Sequence, residues 1–383
     1  MRHRLHILGL PHTRTNISFS HCAFTQKVLR FIPMMKSQGC EVIHYGVGSE
    51  NPGADEHIEV LTEQQQIKLL GHDFSDHTRQ VGTDADVNSQ LYREFNHELS
   101  DLLRNNVAVT DIVCLPFGRA HEPALRYHKG INVETGIGYP EPYERFRIFE
   151  SYAWMHKLQG TNGREGDDYE FVIPNYFDVD DWPLSIAPRK YLAFFGRLNA
   201  DKGLAVVRAI AIARPDLNVI MCGQGDPSPW LSPSIPNLRY LPPITGKARA
   251  KFLGGAIALL APSRYTEPFC GVTVEANLCG TPALTSNFGA FTETIQNGVN
   301  GWRCHTLGDW LAAIEWSECH RNGTLFHRNI SNHVQSLYSM DVIGKKYVDA
   351  FDTIRDVYNG TGWYTKRSNI GPINNPHTNM TIP

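Results

Sequence analysis

The feature that most narrows what this chain can fold into is an alternation. Short apolar runs take turns with stretches of helical periodicity through most of the sequence. Such alternation builds parallel sheets with helices on both faces, since each parallel strand needs a crossover back across the sheet. LHILGL, CEVIHYG, DIVCLP, INVE and EFVIPN read as strands of a first series, and YLAFFG, NVIMCG, LRYL, AIALLAP and PALTS as strands of a second. The helices expected between them include 86–106, with Leu91, Phe95, Leu99 and Leu102 as its stripe, FRIFESYAWMHKL, Lys202 to Ala213, about 246–254, and one carrying Glu275. An early helix with Phe24, Val28, Phe31 and Met35 on one face is expected to kink or stop at Pro33. Residues 51–85 are polar and read as a long loop or an extra hairpin. The final helices are expected at about 306–320 and 338–358 with no strand between them.

At 383 residues the chain has room for two cores. The Asp- and Pro-rich stretch DVDDWPLSIAPRK, 178–190, marks the connection, dividing 1–183 from 184–339. The Asn/Pro/Thr-rich residues 361–383 read as an extended tail. With 36 basic against 39 acidic residues, the charge balance gives no sign of a nucleic-acid partner, although a net charge says nothing about a local basic patch. No run approaches the roughly 20 apolar residues that span a bilayer, and the N-terminal apolar stretch is broken by Pro11 and too short for a signal peptide. Eight cysteines without CxxC or Cys/His ligand spacing fit small buried hydrophobes in a reducing, cytoplasmic compartment. No metal site is read, and the oligomeric state stays open.

Chemistry concentrates in the run TEPFCGVTVEANLCGTP. Glu267 closes a loop after a buried strand, and Glu275 lies about one turn into the next helix. Between them Cys270, Gly271, Val272 and Thr273 put backbone N–H groups at a helix start, where roughly half a positive charge favours phosphate. Two carboxylates flanking an anion site suit a ligand with hydroxyls at both ends and phosphates in the middle, as in a nucleotide sugar. An acidic residue at a helix start is also, more blandly, a favourable charge on the helix dipole. Earlier, Gly196 lets the chain turn at the carboxyl end of YLAFFG, where ligands bind in open α/β sheets. Arg197 and Lys202 follow it, and a Lys at a helix start opposes the dipole unless an anion compensates.

The run EPFCGVTVEANLCGTP resembles the Glu-x7-Glu signature of the retaining glycosyltransferase family 4. FFGRLNADKG (194–203), VIMCGQGD (219–226), VIPNYFD (172–178) and GAFTETIQNGVNGW (289–302) resemble other segments of that family in its order. The resemblance covers nearly all of 170–305 and is thin over 1–165. It implies the GT-B fold, an α/β architecture of two doubly wound Rossmann-like domains facing a central cleft. The N-terminal domain would take the acceptor, the C-terminal domain the nucleotide sugar, and the helix at 340–360 would cross back to the first domain. It implies that Glu267 contacts donor-sugar hydroxyls, that Glu275 holds the ribose hydroxyls, and that Gly271, Val272 and Thr273 bind the diphosphate, with Gly196, Arg197, Lys202 and Phe269 completing the donor set. The family usually has Gly where Cys270 stands. His121 is the candidate for the family's cleft histidine, making Glu267, Arg197, Lys202 and His121 the expected catalytic group.

The loop after the first strand, LGLPHTRTN, keeps only Gly9 of a Gly-rich pattern, and His12, Thr13 and Thr15 are candidate donors to phosphate or acceptor, or simply a polar turn. Glu134 and Gly136 of ETGIGYP are expected to line the cleft, whereas His156 reads as packing or surface. Donor base and sugar, acceptor and linkage stay open, with UDP a first guess from the family. The resemblance further implies a metal-independent transfer needing no cofactor. The alternatives are another enzyme on this scaffold, epimerase- or phosphorylase-like, and a nucleotide-sugar-binding protein without turnover.

Overall fold

A computed structural model describes residues 3–19, 22–72, 86–166 and 169–358. The tail expected at 361–383 lies outside the described residues. The first half contains β1 (Arg4–Leu8), α1 (Ala23–Ser37), β2 (Glu41–Val47), β3 (Glu56–Leu61), α2 (Glu63–Leu70), α3 (Gln90–Asn106), β4 (Ile112–Leu115), β5 (Ile131–Ile137), β6 (Phe146–Phe149), α4 (Tyr152–Thr161) and β7 (Glu170–Val172). The second contains β8 (Tyr191–Phe195), α5 (Leu204–Ala213), β9 (Asn218–Cys222), α6 (Ser228–Leu231), β10 (Leu238–Leu241), α7 (Gly246–Gly254), β11 (Ala256–Ala261), α8 (Gly271–Leu278), β12 (Ala283–Ser286), α9 (Phe291–Thr294), β13 (Gly301–Cys304), α10 (Leu307–His320), α11 (Thr324–Tyr338) and α12 (Met340–Asp356).

Among the described residues these form two parallel sheets, ordered β3-β2-β1-β4-β5-β6-β7 and β10-β9-β8-β11-β12-β13. In each sheet the order reverses beside the first strand, which opens a crevice at the carboxyl ends of the strands. Central strands such as IVCL and AIALLA are buried along their whole length because helices cover both faces.

Several elements differ from the sequence reading. Pro33 does not end α1, which runs through it to Ser37. Polar residues 51–72 hold the edge strand β3 and the helix α2, the latter started by a reciprocal Thr62/Gln65 capping box. FRIF is strand β6, and the helix begins only after Ser151, whose hydroxyl accepts from the Trp154 amide. The strand β13 and the helix α11 went unread between 300 and 338. The apolar pair Leu102/Leu103 also resolves differently, with Leu103 buried and Leu102 partly so.

The connection 178–190 starts in a short 3-10 turn at Val179–Asp181 and ends at buried Arg189. The guanidinium of Arg189 donates to the carbonyls of Ala256 and Cys279, which fixes the entry to β8. α12 lies against α1, with Ile343, Tyr347, Phe351 and Ile354 in one core with Val28, Phe31, Leu5 and Ile112.

Candidate active site

The site is built at the carboxyl ends of β8, β9 and β11. Two glycines make it possible. Gly203 has φ +74°, and a Cβ there would stand 1.8 Å from the Pro262 carbonyl oxygen. Gly223, with φ +152°, presses equally close on the Gly196 carbonyl. Any side chain at either position would force these turns apart. Gly203 ends the 3-10 turn Ala200–Lys202, begun by the Asn199 side chain accepting from the Lys202 amide. Lys202 thereby lies under the loop that follows β11.

The Lys202 ammonium donates to Glu267 Oε1 at 2.6 Å and to the Tyr265 hydroxyl at 3.0 Å. Glu267 is buried, and it also accepts from the Ser263 and Tyr265 hydroxyls. Burial pulls the Lys202 pKa down, but Cys270 and Glu267 outweigh it and hold the ammonium above its ordinary range. Burial also holds the Cys270 thiol far above its ordinary range, hence neutral, so Glu267 is the operative counter-charge. Ser263 and Tyr265 escaped the sequence reading, although hydroxyls two and four residues before an acid in a strand-end loop were the available signal.

α8 starts beyond Cys270, the non-glycine residue with a left-handed backbone among the described residues, at φ 69°. Cys270 provides no side-chain cap, so the amides of Gly271 and Val272 donate no hydrogen bond to its thiol. Gly271 and Val272 line a cleft of about 1000 Å³, together with Glu275, Arg249, Trp182 and, across from them, Arg30 of α1. Thr273 differs from expectation. It is fully buried, and both its amide and its hydroxyl donate to the Cys270 carbonyl. Phe269 likewise turns inward, stacked against Phe177 and edge-on to Tyr338. Arg197 is exposed at the strand end and forms no ion pair among the described residues. Lys202, Glu267 and Arg197 are not among the residues lining the cleft.

The N-terminal candidates are mostly used internally. His12 bonds the Tyr92 hydroxyl at 2.6 Å, Thr13 bonds Thr25 at 2.6 Å, and Thr15 bonds His44 at 3.1 Å, all buried. They pin the loop instead of offering free donors. Glu134 is fully buried, accepting from the Tyr139 hydroxyl and from the amides of Tyr143 and Glu144. Gly136, at φ +70°, gives its carbonyl to Lys27, which does line the cleft. His121 follows β4 as expected, but it is fully buried in the 3-10 segment Gly118–Leu125, near Phe95 of α3, and is not in the cleft lining. His156 is not among the cleft-lining residues either. The two halves touch at the site's edge, where the Ser151 hydroxyl donates to the carbonyl of Pro268, next to Glu267, at 2.7 Å.

Among the described residues no cluster of His, Cys, Asp and Glu is arranged to hold a metal ion, and no helix is long and apolar enough to cross a membrane.

Two doubly wound sheets with an acid–base pair and an open helix start at their crevice define a GT-B architecture. Residues 180–315 match the family model described as glycosyl transferases group 1. A D-inositol 3-phosphate glycosyltransferase of Mycobacterium marinum is 28% identical over 185 residues, covering 44% of this chain and 40% of that protein. A glycogen synthase of Mycobacterium tuberculosis is 31% identical over 147 residues, 35% of each. The chain thus matches two fifths or less of the length of these curated relatives. Across the whole fold it is similar to Anabaena HepE, solved with UDP and glucose, at TM-score 0.62 and 14% identity, covering 92% of this chain and all of that one. It is also similar to a sucrose-phosphate synthase from Thermosynechococcus elongatus, at TM-score 0.65 and 12% identity, with 93% and 100% covered.

Proposed function

We propose that the protein moves a sugar from a nucleoside-diphosphate sugar to a hydroxyl acceptor with retention of anomeric configuration. The observation that carries this reading is the buried Lys202–Glu267 pair beside the uncapped start of α8, with Glu275 at the cleft one turn further on. The diphosphate would lie against the amides of Gly271 and Val272, with Arg197 and Lys202 opposing its charge. Glu267 would take a donor-sugar hydroxyl on the lone pairs left by its three protein donors, and Glu275 would take the ribose.

In the reaction the acceptor hydroxyl oxygen forms a bond to the anomeric carbon on the face the leaving group departs from. The bond from that carbon to the phosphate oxygen breaks, its electron pair stays on the diphosphate, and that oxygen receives the acceptor's proton. The products are a glycoside and a nucleoside diphosphate. The cations stabilise the charge that grows on the leaving group, an effect whose loss typically costs 10²- to 10³-fold in rate. No step in this scheme calls on a metal or a separate cofactor. UDP is the nucleotide to test first, because the similar Anabaena protein was solved with it. A cytoplasmic setting accords with cysteines that are all free and mostly buried.

The test is release of nucleoside diphosphate from a panel of UDP-, GDP- and ADP-sugars. Glu267→Ala is expected to lower turnover on the order of 10²-fold or more. Arg197→Ala is expected to lower turnover and weaken nucleotide binding together. Absence of both binding and turnover across the whole panel would overturn the reading, and full activity in both variants would overturn the site.

A further inference from the structure

We infer that Arg249 is a positioning residue of the nucleoside end of the cleft, holding the Glu275 carboxylate so that one of its oxygens is presented to a ribose hydroxyl. The inference rests on the nucleotide-sugar reading above and adds a residue to it that neither the Glu-x7-Glu run nor the phosphate loop contains.

Arg249 sits in the first turns of α7, and Glu275 sits one turn into α8, 26 residues later. The guanidinium Nη2 donates to Glu275 Oε2. Both residues line the cleft. Glu275 is nearly closed off at 4% exposure, and Arg249 is its side-chain partner among the described residues. A carboxylate so buried without a counter-charge would be driven to take up a proton or turn away. A planar guanidinium does more than supply charge, because its fork geometry sets the direction of the carboxylate. Arg249 is itself fixed from two sides. Its guanidinium lies 4.3 Å from the centre of the Phe195 ring at the end of β8 and 5.5 Å from that of Trp182 in the connecting segment. With Oε2 committed to this clamped partner, Oε1 takes no hydrogen bond from a described residue and can accept from a ligand.

The opposite possibility is that Arg249 is a plug that a nucleotide must push off Glu275, and affinity separates the two. Binding of UDP and of 2′,3′-dideoxy-UDP is measured by calorimetry for wild type, Arg249→Met, Arg249→Lys, Glu275→Gln and the Arg249→Met/Glu275→Gln double variant. If Arg249 positions Glu275, Arg249→Met weakens UDP about 10- to 100-fold, the range for a lost charge-assisted hydrogen bond. It weakens the dideoxy analogue less than about threefold, because the hydroxyls that Glu275 reads are gone. The double variant binds UDP no worse than Glu275→Gln alone. Arg249→Lys, which keeps the charge and loses the fork, falls between wild type and Met and keeps the test decisive should the Met variant fail to fold. Equal weakening toward both nucleotides, or tighter binding by Arg249→Met, overturns the inference while leaving the nucleotide reading intact. Failure of wild type to bind any nucleoside diphosphate overturns that reading instead.

Discussion

A histidine that looked catalytic in the sequence becomes, at the level of the single residue, a determinant of acid stability. Burial, with His12 nearby, lowers the His121 pKa to about 3, and burial beside His57 does the same for His44. Both are therefore neutral in the fold, whereas in the unfolded chain each titrates near 6.5. Their folded pKa values are depressed, so as pH falls below about 6.5 the unfolded chain takes up protons that the native state refuses, and stability is lost progressively toward pH 3. By pH 5 each histidine costs about 2 kcal/mol relative to pH 7.5. Urea unfolding at these two pH values is expected to give a loss about 2 kcal/mol smaller in His121→Leu than in wild type, whatever the substitution does to stability at pH 7.5. An identical loss would mean that His121 titrates freely in the fold. The same scale limits what a sequence can disclose. The strand-end place of Glu267 and that of Glu275 about one turn into a helix were legible from spacing, whereas the roles expected of them and of Lys202 rested on the family resemblance. Ser263, Tyr265 and Arg249 acquire their meaning only from where a loop and a neighbouring helix bring them. Cys270 was legible as a departure from glycine, and its φ of 69° shows the turn kept at the strain cost a side chain brings there.

Elements were read well where one period dominated and poorly where two met. FRIFESYAWMHKL carries an apolar strand and then a helix, and only the Ser151 cap divides them. The cap is shared between the halves of the molecule. The Glu293 carboxylate of α9 accepts from the amides of Tyr152 and Ala153 at 3.0 and 2.8 Å, so an acid from the second sheet's helices closes the start of α4 beside the first sheet. A carboxylate on first-turn amides is favoured by the helix dipole as well as by its hydrogen bonds. These bonds are exposed to solvent, so Glu293→Ala is expected to cost only about 0.5–1 kcal/mol of stability. Hydrogen exchange should place the change in the first turn of α4, with the Tyr152 and Ala153 amides exchanging faster and the rest of the helix unaltered. A change spread along all of α4 would show the contact to be a hinge for the whole helix, not a local cap.

The alternation of strands and helices was enough to see two sheets, but it was silent on which sheet each terminal helix would serve. That is settled by side chains far apart in sequence. Tyr347 of α12 meets Phe31 of α1 edge-on at 4.9 Å and Tyr176 at 6.3 Å, and Phe351 packs beside Tyr347 and His3. The chain reaches this core from the second sheet through a bridge between Phe177 and Ser339, so both crossings between the halves are neighbours. α12 thus stabilises the sheet to which it is remote in sequence, and a lesion there has a direction. Phe351 is fully buried, and Phe351→Ala is expected to cost about 3–5 kcal/mol. Native-state hydrogen exchange resolves where that cost falls, since separate cores can open as separate cooperative units. The amides of β1, β2 and β4 are expected to lose protection by that amount, while those of β8 and β11 keep theirs. Equal loss in both sheets would instead mean that the Phe177–Ser339 crossing and the Ser151 and Glu293 contacts weld the two cores into one folding unit.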